Sequence, residues 1–178
     1  MPTAPLACAW PNSEGIVTDL CFWSGDDRFG LVLPGKQLAR ILRMCDTTGS
    51  EETGGILIGH YTTALDCAVV TEVTGPPADS LRGRRWFERG TTELQGLLDR
   101  RWRRRRQHYL GEWHLHPGGA PEPSSLDILQ MQSIACARAC ARPEPLLVLV
   151  GEGPSGGRMV SAHVFPREGR HMELARQA

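Results

Sequence analysis

The chain has 178 residues, 20 basic and 20 acidic, for a formal net charge of zero with histidine neutral. That length suits one domain able to bury about two thirds of its unfolded surface; the balanced charge excludes a global field drawing the protein onto nucleic acid or an anionic membrane. No run approaches the roughly 20 apolar residues that span a bilayer, and MPTAPLACAW lacks a basic region followed by an apolar one, so no membrane association and a cytoplasmic location are expected.

In chain order, residues 15–33 read as two short strands around Ser24-Gly25-Asp26-Asp27, an opening hairpin. After Pro34-Gly35, Leu38, Ile41, Leu42 and Cys45 fall at i, i+3, i+4 and i+7, which predicts a helix of about ten residues ending at Asp46-Thr-Thr-Gly. GGILIGHY (54–61) and CAVVTEVT (67–74) are β-branched and apolar and read as adjacent strands. Residues 76–90 form a long polar loop with one short extended piece around Trp86-Phe87. A helix is expected over Thr91–Arg103 with Leu94, Leu97, Leu98 and Trp102 on its inward stripe, and its basic end RRWRRRR (100–106) reads as a solvated helix terminus whose arginines complement the dipole. Nucleic-acid binding is the lesser alternative there.

Tyr109–His116 predicts a strand, Ser124 to about Ala141 a helix, LLVLVGE (146–152) a central buried strand and RMVSAHVF (158–165) a more peripheral one. Helices separated by strands, the central ones apolar, indicate an α+β protein of the α-β-α sandwich kind, a mixed central sheet flanked by helices. The six cysteines, Cys8, Cys21, Cys45, Cys67, Cys136 and Cys140, lack the close pairing of a structural zinc site and read as reduced and mostly buried. Cys136-x3-Cys140 also reads better as buried small side chains than as a second metal site, and His60, His108, His163 and His171 have no partner at ligand spacing.

Chemistry concentrates in EWHLHPGGAPEPSSLD (112–127). Residues two apart in a strand share a face, so His114 and His116 can aim both imidazoles at one point. The Pro/Gly-rich turn reverses the chain into a helix whose first turn holds Asp127, a third ligand in the spacing His-x-His-x7-Ser-x2-Asp. A catalytic zinc takes three such protein ligands and leaves its fourth position to water. Each part has a plainer reading: the histidine pair as an exposed strand edge, Ser124-x-x-Asp127 as a helix cap. Together, at this distance, coincidence explains them less well. Hydrolysis would also need a carboxylate base, and two stand out, Glu52 in EETGGILIG and Glu112, which shares strand parity with the histidines.

Glu52-Thr-Gly-Gly-Ile-Leu-Ile-Gly59, His114-Leu-His116-Pro117, Ser124 and Asp127 together resemble the signature of the JAMM (MPN+, JAB-domain) zinc metalloproteases, over roughly residues 30–165. The resemblance implies the JAB/MPN-type, cytidine-deaminase-like fold in one domain spanning 1–178, with the hairpin at 15–33 and a short C-terminal tail. It implies one zinc per chain on His114, His116 and Asp127 with a water as fourth ligand, Glu52 rather than Glu112 as general base, and Ser124 as donor to the oxyanion.

The text Tyr-Leu-Gly-Glu-Trp-His-Leu-His-Pro, with Gly-Pro-Pro and a Phe-x-Arg upstream, is similar to the bacterial branch encoded beside E1-like and E2-like enzymes in antiphage operons. That implies an isopeptidase or peptidase cleaving after the C-terminal residue of a ubiquitin-like modifier or other conjugated protein, with that protein, its target and the E1/E2-like enzymes as partners. One lysine, Lys36, against nineteen arginines suits work beside lysine-modifying enzymes, although arginine-favouring codon usage is the better account of it. HPGGAPEPSSLD is also similar to the RadC-like group associated with DNA repair, whose pattern places Asn where Leu115 stands. A sulfur-carrier-processing peptidase of the same mechanism is a further alternative. The loop at 76–90 is expected either to pair edge-on with a modifier tail or to cover the core with Trp86 and Phe87.

Overall fold

The computed structural model describes residues 18–137 and 144–178. Strands β1 (Leu20–Trp23) and β2 (Gly30–Leu33) pair antiparallel, Leu20 opposite Leu33 and Trp23 opposite Gly30. Ser24 organises the turn between them, its hydroxyl donating to Asp26 and accepting the amides of Arg28 and Phe29, while Asp27 takes a positive φ of 56°, a conformation its short polar side chain tolerates. This is the expected hairpin, of which residues 15–17 lie outside the described residues.

Helix α1 (Gly35–Asp46) buries Leu38, Ile41 and Cys45, the spacing read from the sequence, with Leu42 half-buried. β3 (Thr53–Tyr61) and β4 (Cys67–Val73) follow, then a loop carrying the two-residue strands β5 (Leu81–Arg82) and β6 (Phe87–Glu88), which pair only with each other. α2 (Leu94–Arg105), β7 (His108–Leu115), α3 (Ser125–Cys136), β8 (Leu146–Glu152), β9 (Arg158–Val164) and β10 (Met172–Arg176) complete the described elements. The expected continuation of α3 to 141 lies outside the described residues beyond 137.

The sheet is mixed and has helices on both faces, as expected, but it is not an open layer. Eight strands close into a ring in the order β1-β10-β9-β8-β7-β3-β4-β2. Two contacts produce the closure: β2 runs parallel to β4, and β10 joins β9 to β1. The stretch expected as a tail is thus a strand; Glu173, Ala175 and Arg176 are exposed and only Leu174 is buried, too little apolar text for a strand signal.

One face of the ring carries the main core, where Leu38, Ile41 and Cys45 of α1 meet Phe22, Leu57, Val70, Trp113 and Val148. The other face of β8, with Leu147 and Leu149, packs with Phe165 against Met131 and Ala135 of α3. β8 is buried on both sides, which explains its unbroken apolar run. α2 departs from expectation. None of its residues is buried; Leu94, Leu97 and Leu98 are half-covered and Trp102 is exposed. Left-handed residues at both ends, Glu93 and Arg106, set its limits, and Arg101 anchors it to Glu72 of β4 with a 2.9 Å contact from its second guanidinium nitrogen. No helix among the described residues is long and apolar enough to cross a membrane.

Candidate active site

A bulge in β7 decides which side chains reach the site. Gly111 pairs with Leu57 and Tyr109 with Ile58, so Leu110 has no opposite number, and Gly111 sits at φ 152° against the Leu146 backbone, where a Cβ would meet the carbonyl oxygen at 1.9 Å. An extra residue shifts the alternation of a strand. Leu110, Trp113 and Leu115 therefore enter the main core, while Glu112 and His114 turn to the α3 face. Gly54 of β3 lets the strands approach here: a Cβ would lie 2.4 Å from Trp113 O and 2.7 Å from the His114 ring.

Asp127 reaches the same place from the first turn of α3. It closes a capping box with Ser124: the Ser124 hydroxyl accepts the Asp127 amide (3.1 Å), and Asp127 Oδ2 accepts the Ser124 amide (2.8 Å) and hydroxyl (2.6 Å). Both plain readings of the motif fare differently here. The cap is real, and the histidine pair is no exposed edge, since His114 is buried beside Asp127 with Nδ1 2.8 Å from Oδ1. His116 Nε2 lies 3.4 Å from Oδ2 and is buried without a hydrogen-bond partner. An unsatisfied buried nitrogen costs about 1–3 kcal/mol, so the fold alone does not account for it.

Among the described residues no three His, Cys, Asp or Glu side chains stand in ready ligating geometry. His114 Nδ1 and both Asp127 oxygens are engaged with each other and with Ser124. The donor set nevertheless fits a metal: two imidazoles and a carboxylate are what a catalytic zinc takes, and the buried His116 Nε2, 3.4 Å from Asp127, makes no hydrogen bond of its own.

The two candidate carboxylates occupy opposite sides of this cluster. Glu52 shares with His116, Ser124, Trp86 and Glu122 the lining of an open cleft of about 1260 Å³. Glu112 does share the histidines' face, but it is buried behind His114, where it accepts Arg89 Nε at 2.7 Å and the Tyr109 hydroxyl at 3.2 Å and lies 3.2 Å from His114 Nε2. Strand parity identified its face correctly and missed its depth.

Electrostatics follow burial and pairing. Burial pushes the Glu52 carboxyl above its ordinary range against the pull of the nearby histidines. For His114, burial opposes the charged form, yet Asp127 and Glu112 outweigh it and push the pKa up to about 9. Burial works likewise against His116, and Asp127 again prevails and raises it. Burial also acts on Asp127 and Glu112; His114, joined by His116 for Asp127 and by Arg89 for Glu112, overcomes it and holds both carboxyls below the usual range.

Sequence reasoning missed Arg89 and Ser161 as contributors and left the parts of Phe87 and His163 open. Arg89, the partner of Glu112, had a signal in the Phe-x-Arg noted upstream of α2. Phe87 is buried edge-on against His114, centroids 5.2 Å apart, while its neighbour Trp86 stays exposed at the cleft, so covering and display divide between the two aromatics. Ser161 and His163 lie buried 3.0 Å apart on β9, and Ser161 also donates to the Pro121 carbonyl of the turn between His116 and Ser124. Among the described cysteines Cys45 and Cys67 are buried, Cys21 half-buried and Cys136 exposed, all as thiols; Cys8 and Cys140 lie outside the described residues.

Comparison with known proteins gives this fold and cluster a class, that of the JAB-domain metalloproteases. The model of the family described as prokaryotic homologs of the JAB domain matches residues 34–163. A CD-NTase/cGAS isopeptidase of Enterobacter hormaechei is 40% identical over 156 residues, covering 88% of this chain and 86% of that protein. A protein of the same name from Pseudomonas aeruginosa is 33% identical over 72% of this chain and 82% of its own, and a probable metalloprotease of Sinorhizobium fredii is 31% identical over 58% and 64%. In fold the chain is similar to the solution structure of protein DSY2949 from Desulfitobacterium hafniense, with a TM-score of 0.54 at 18% identity over 79% of this chain and 86% of that one. The chain belongs to the prokaryotic JAB-domain family and is a metalloprotease-type peptidase.

Proposed function

We propose that this protein is a zinc-dependent isopeptidase, built as one domain, that cleaves after the C-terminal residue of a conjugated protein and so releases it from its target. The names of the relatives point to a CD-NTase as the conjugated protein; the setting proposed with it is antiphage defence in the cytoplasm, with E1/E2-like enzymes making the bond that this one breaks. Those names favour this reading over a RadC-like one.

His114, His116 and Asp127 would hold one zinc. When bound, zinc lowers the pKa of its water to about 7 and polarises a carbonyl. Glu52, in the cleft and shifted upward by burial, takes the proton from the attacking water and returns it to the leaving amine, since a base works best with a pKa near the working pH. Ser124 lines the same cleft; its hydroxyl, bonded here to Asp127 Oδ2, would turn to donate to the oxyanion once a metal takes that carboxylate.

The observation that carries the reading is the buried His116 Nε2, which makes no hydrogen bond and lies 3.4 Å from Asp127 at the cleft lined by Glu52 and Ser124. The test is bound zinc and cleavage, in wild type and Glu52→Gln, of a CD-NTase fused through its C-terminal residue to a reporter. One zinc in both proteins with chelator-sensitive cleavage by wild type alone is expected. Wild type free of zinc after metal loading rejects the reading.

A further inference from the structure

His114 and His116 are held in different ways. His116 Nε2 makes no hydrogen bond and has only Asp127 Oδ2 beside it, at 3.4 Å. His114 is held by Asp127 at Nδ1, by Phe87 packed against it in a T-shaped contact, and by Glu112 Oε2 at 3.2 Å from Nε2. Glu112 is itself fixed: Oε1 takes both Arg89 Nε and the Tyr109 hydroxyl, which leaves Oε2 for the imidazole.

A metal-bound imidazole is neutral and keeps one N–H, on the nitrogen the metal does not take; His114 Nδ1 faces Asp127, and Nε2 faces Glu112. A carboxylate only accepts. Resting on the metal reading above, we infer that Glu112 is the positioning residue for His114: it holds the ring proton on Nε2, so that Nδ1, the nitrogen facing Asp127, is the one presented to the metal.

Arg89 serves the same end one step further out. It reaches Glu112 from the loop between β4 and α2, the loop whose Gly83 carbonyl accepts the Glu52 amide and whose Trp86 lines the cleft. The base and the clamp on the metal ligand thus hang from one segment. Partners of metal-bound histidines act by fixing ring orientation and tautomer, and removing one weakens metal binding about 10–100-fold.

Zinc affinity measured by chelator competition tests this in wild type, Glu112→Gln and the double variant Arg89→Met/Glu112→Leu, with thermal unfolding of the metal-free proteins recorded beside it. The double variant leaves neither charge buried alone, so it stays informative where Glu112→Gln does not fold. Affinity reduced 10–100-fold in a folded variant is expected; wild-type affinity in a folded variant overturns the inference. Long-range proton–nitrogen spectra of the zinc-loaded wild type decide without any substitution: a protonated Nε2 and metal-shifted Nδ1 on His114 support it, and the reverse tautomer overturns it. His116→Ala separates the two layers. If it binds zinc as wild type does, the ligand assignment fails; if only it loses zinc and the Glu112 variants do not, the positioning role alone fails.

Discussion

The two faces of β7 divide labour within eight residues. Trp113 and Leu115 point into the main core with the apolar side chains of α1, whereas Glu112 and His114 point to the α3 face among Arg89, Asp127 and Phe87. One side is satisfied by packing and an indole hydrogen bond from Trp113 to the Thr74 carbonyl; the other contains ionisable groups that compensate one another's burial. Chemistry and stability are thus separable by parity, and the bulge at Leu110 is what sets the parity.

The sharpest way to break that comparison is on the chemical side. Glu52→Gln should reduce cleavage of the fusion substrate by about 10²–10⁴-fold while the unfolding temperature of the metal-free protein stays within a degree or two of wild type. An equal loss from a Trp113 substitution that leaves folding intact would dissolve the distinction. On the packing side, Trp113→Ala should cost about 3–5 kcal/mol in urea unfolding, the largest stability effect of the set, because the indole is wholly buried and donates to the Thr74 carbonyl.

Acid should act on the α3 side. His163 is buried and its pKa is lowered to about 4, with burial the leading cause and His171 adding to it. The unfolded chain takes up that proton near the ordinary value of about 6.5, so this contribution is intact above pH 6.5 and is lost between 6.5 and 4. The difference, discounted for the part of the ring that solvent reaches, is about 2 kcal/mol, and His163→Gln should flatten the stability curve across that window. A curve of unchanged slope would remove His163 from the account.

Ser124→Ala sharpens the comparison further, since this residue belongs to both sides. Loss of the cap should cost about 1 kcal/mol of stability, and loss of the oxyanion donor about 10²–10³ in turnover. The smallest effect is expected from neutralising Arg103 to Arg106, which are exposed on a helix with no buried residue. Stability should move by no more than about 0.5 kcal/mol, and turnover at moderate salt should be unchanged.

Much of the architecture was legible where one periodicity dominated. α1 followed its i, i+3, i+4, i+7 pattern, β8 its unbroken apolar run, and the opening hairpin its Ser-Gly-Asp-Asp turn. β10 escaped because a single buried Leu174 carries no period, and ring closure escaped with it, since parallel pairing of β2 with β4 joins distant segments that no local pattern relates. α2 misled because its leucines are correctly spaced for a buried stripe, yet only their half-covered placement beside β7 shows how little they bury.

At the site, the meeting of His114, His116 and Asp127 was readable from spacing, as was the Ser124 cap. Choosing between Glu52 and Glu112 was not. Both are carboxylates near the histidines in sequence or register, and what separates them is that Arg89 neutralises one in the interior while the other faces an open cleft. Ion pairs between a loop and a strand leave no spacing rule to read.

The capping box has an implication for tracing activity through related genomes. Ser124 and Asp127 terminate a helix whether or not any bond is hydrolysed, so a descendant that lost catalysis would still be selected to keep them, and a search keyed on Ser-x-x-Asp would count dead copies as living ones. His116 is different: its ring nitrogen contributes no hydrogen bond to the fold. Drift should erase that histidine first, which makes it the more telling position when sorting working enzymes from their relics.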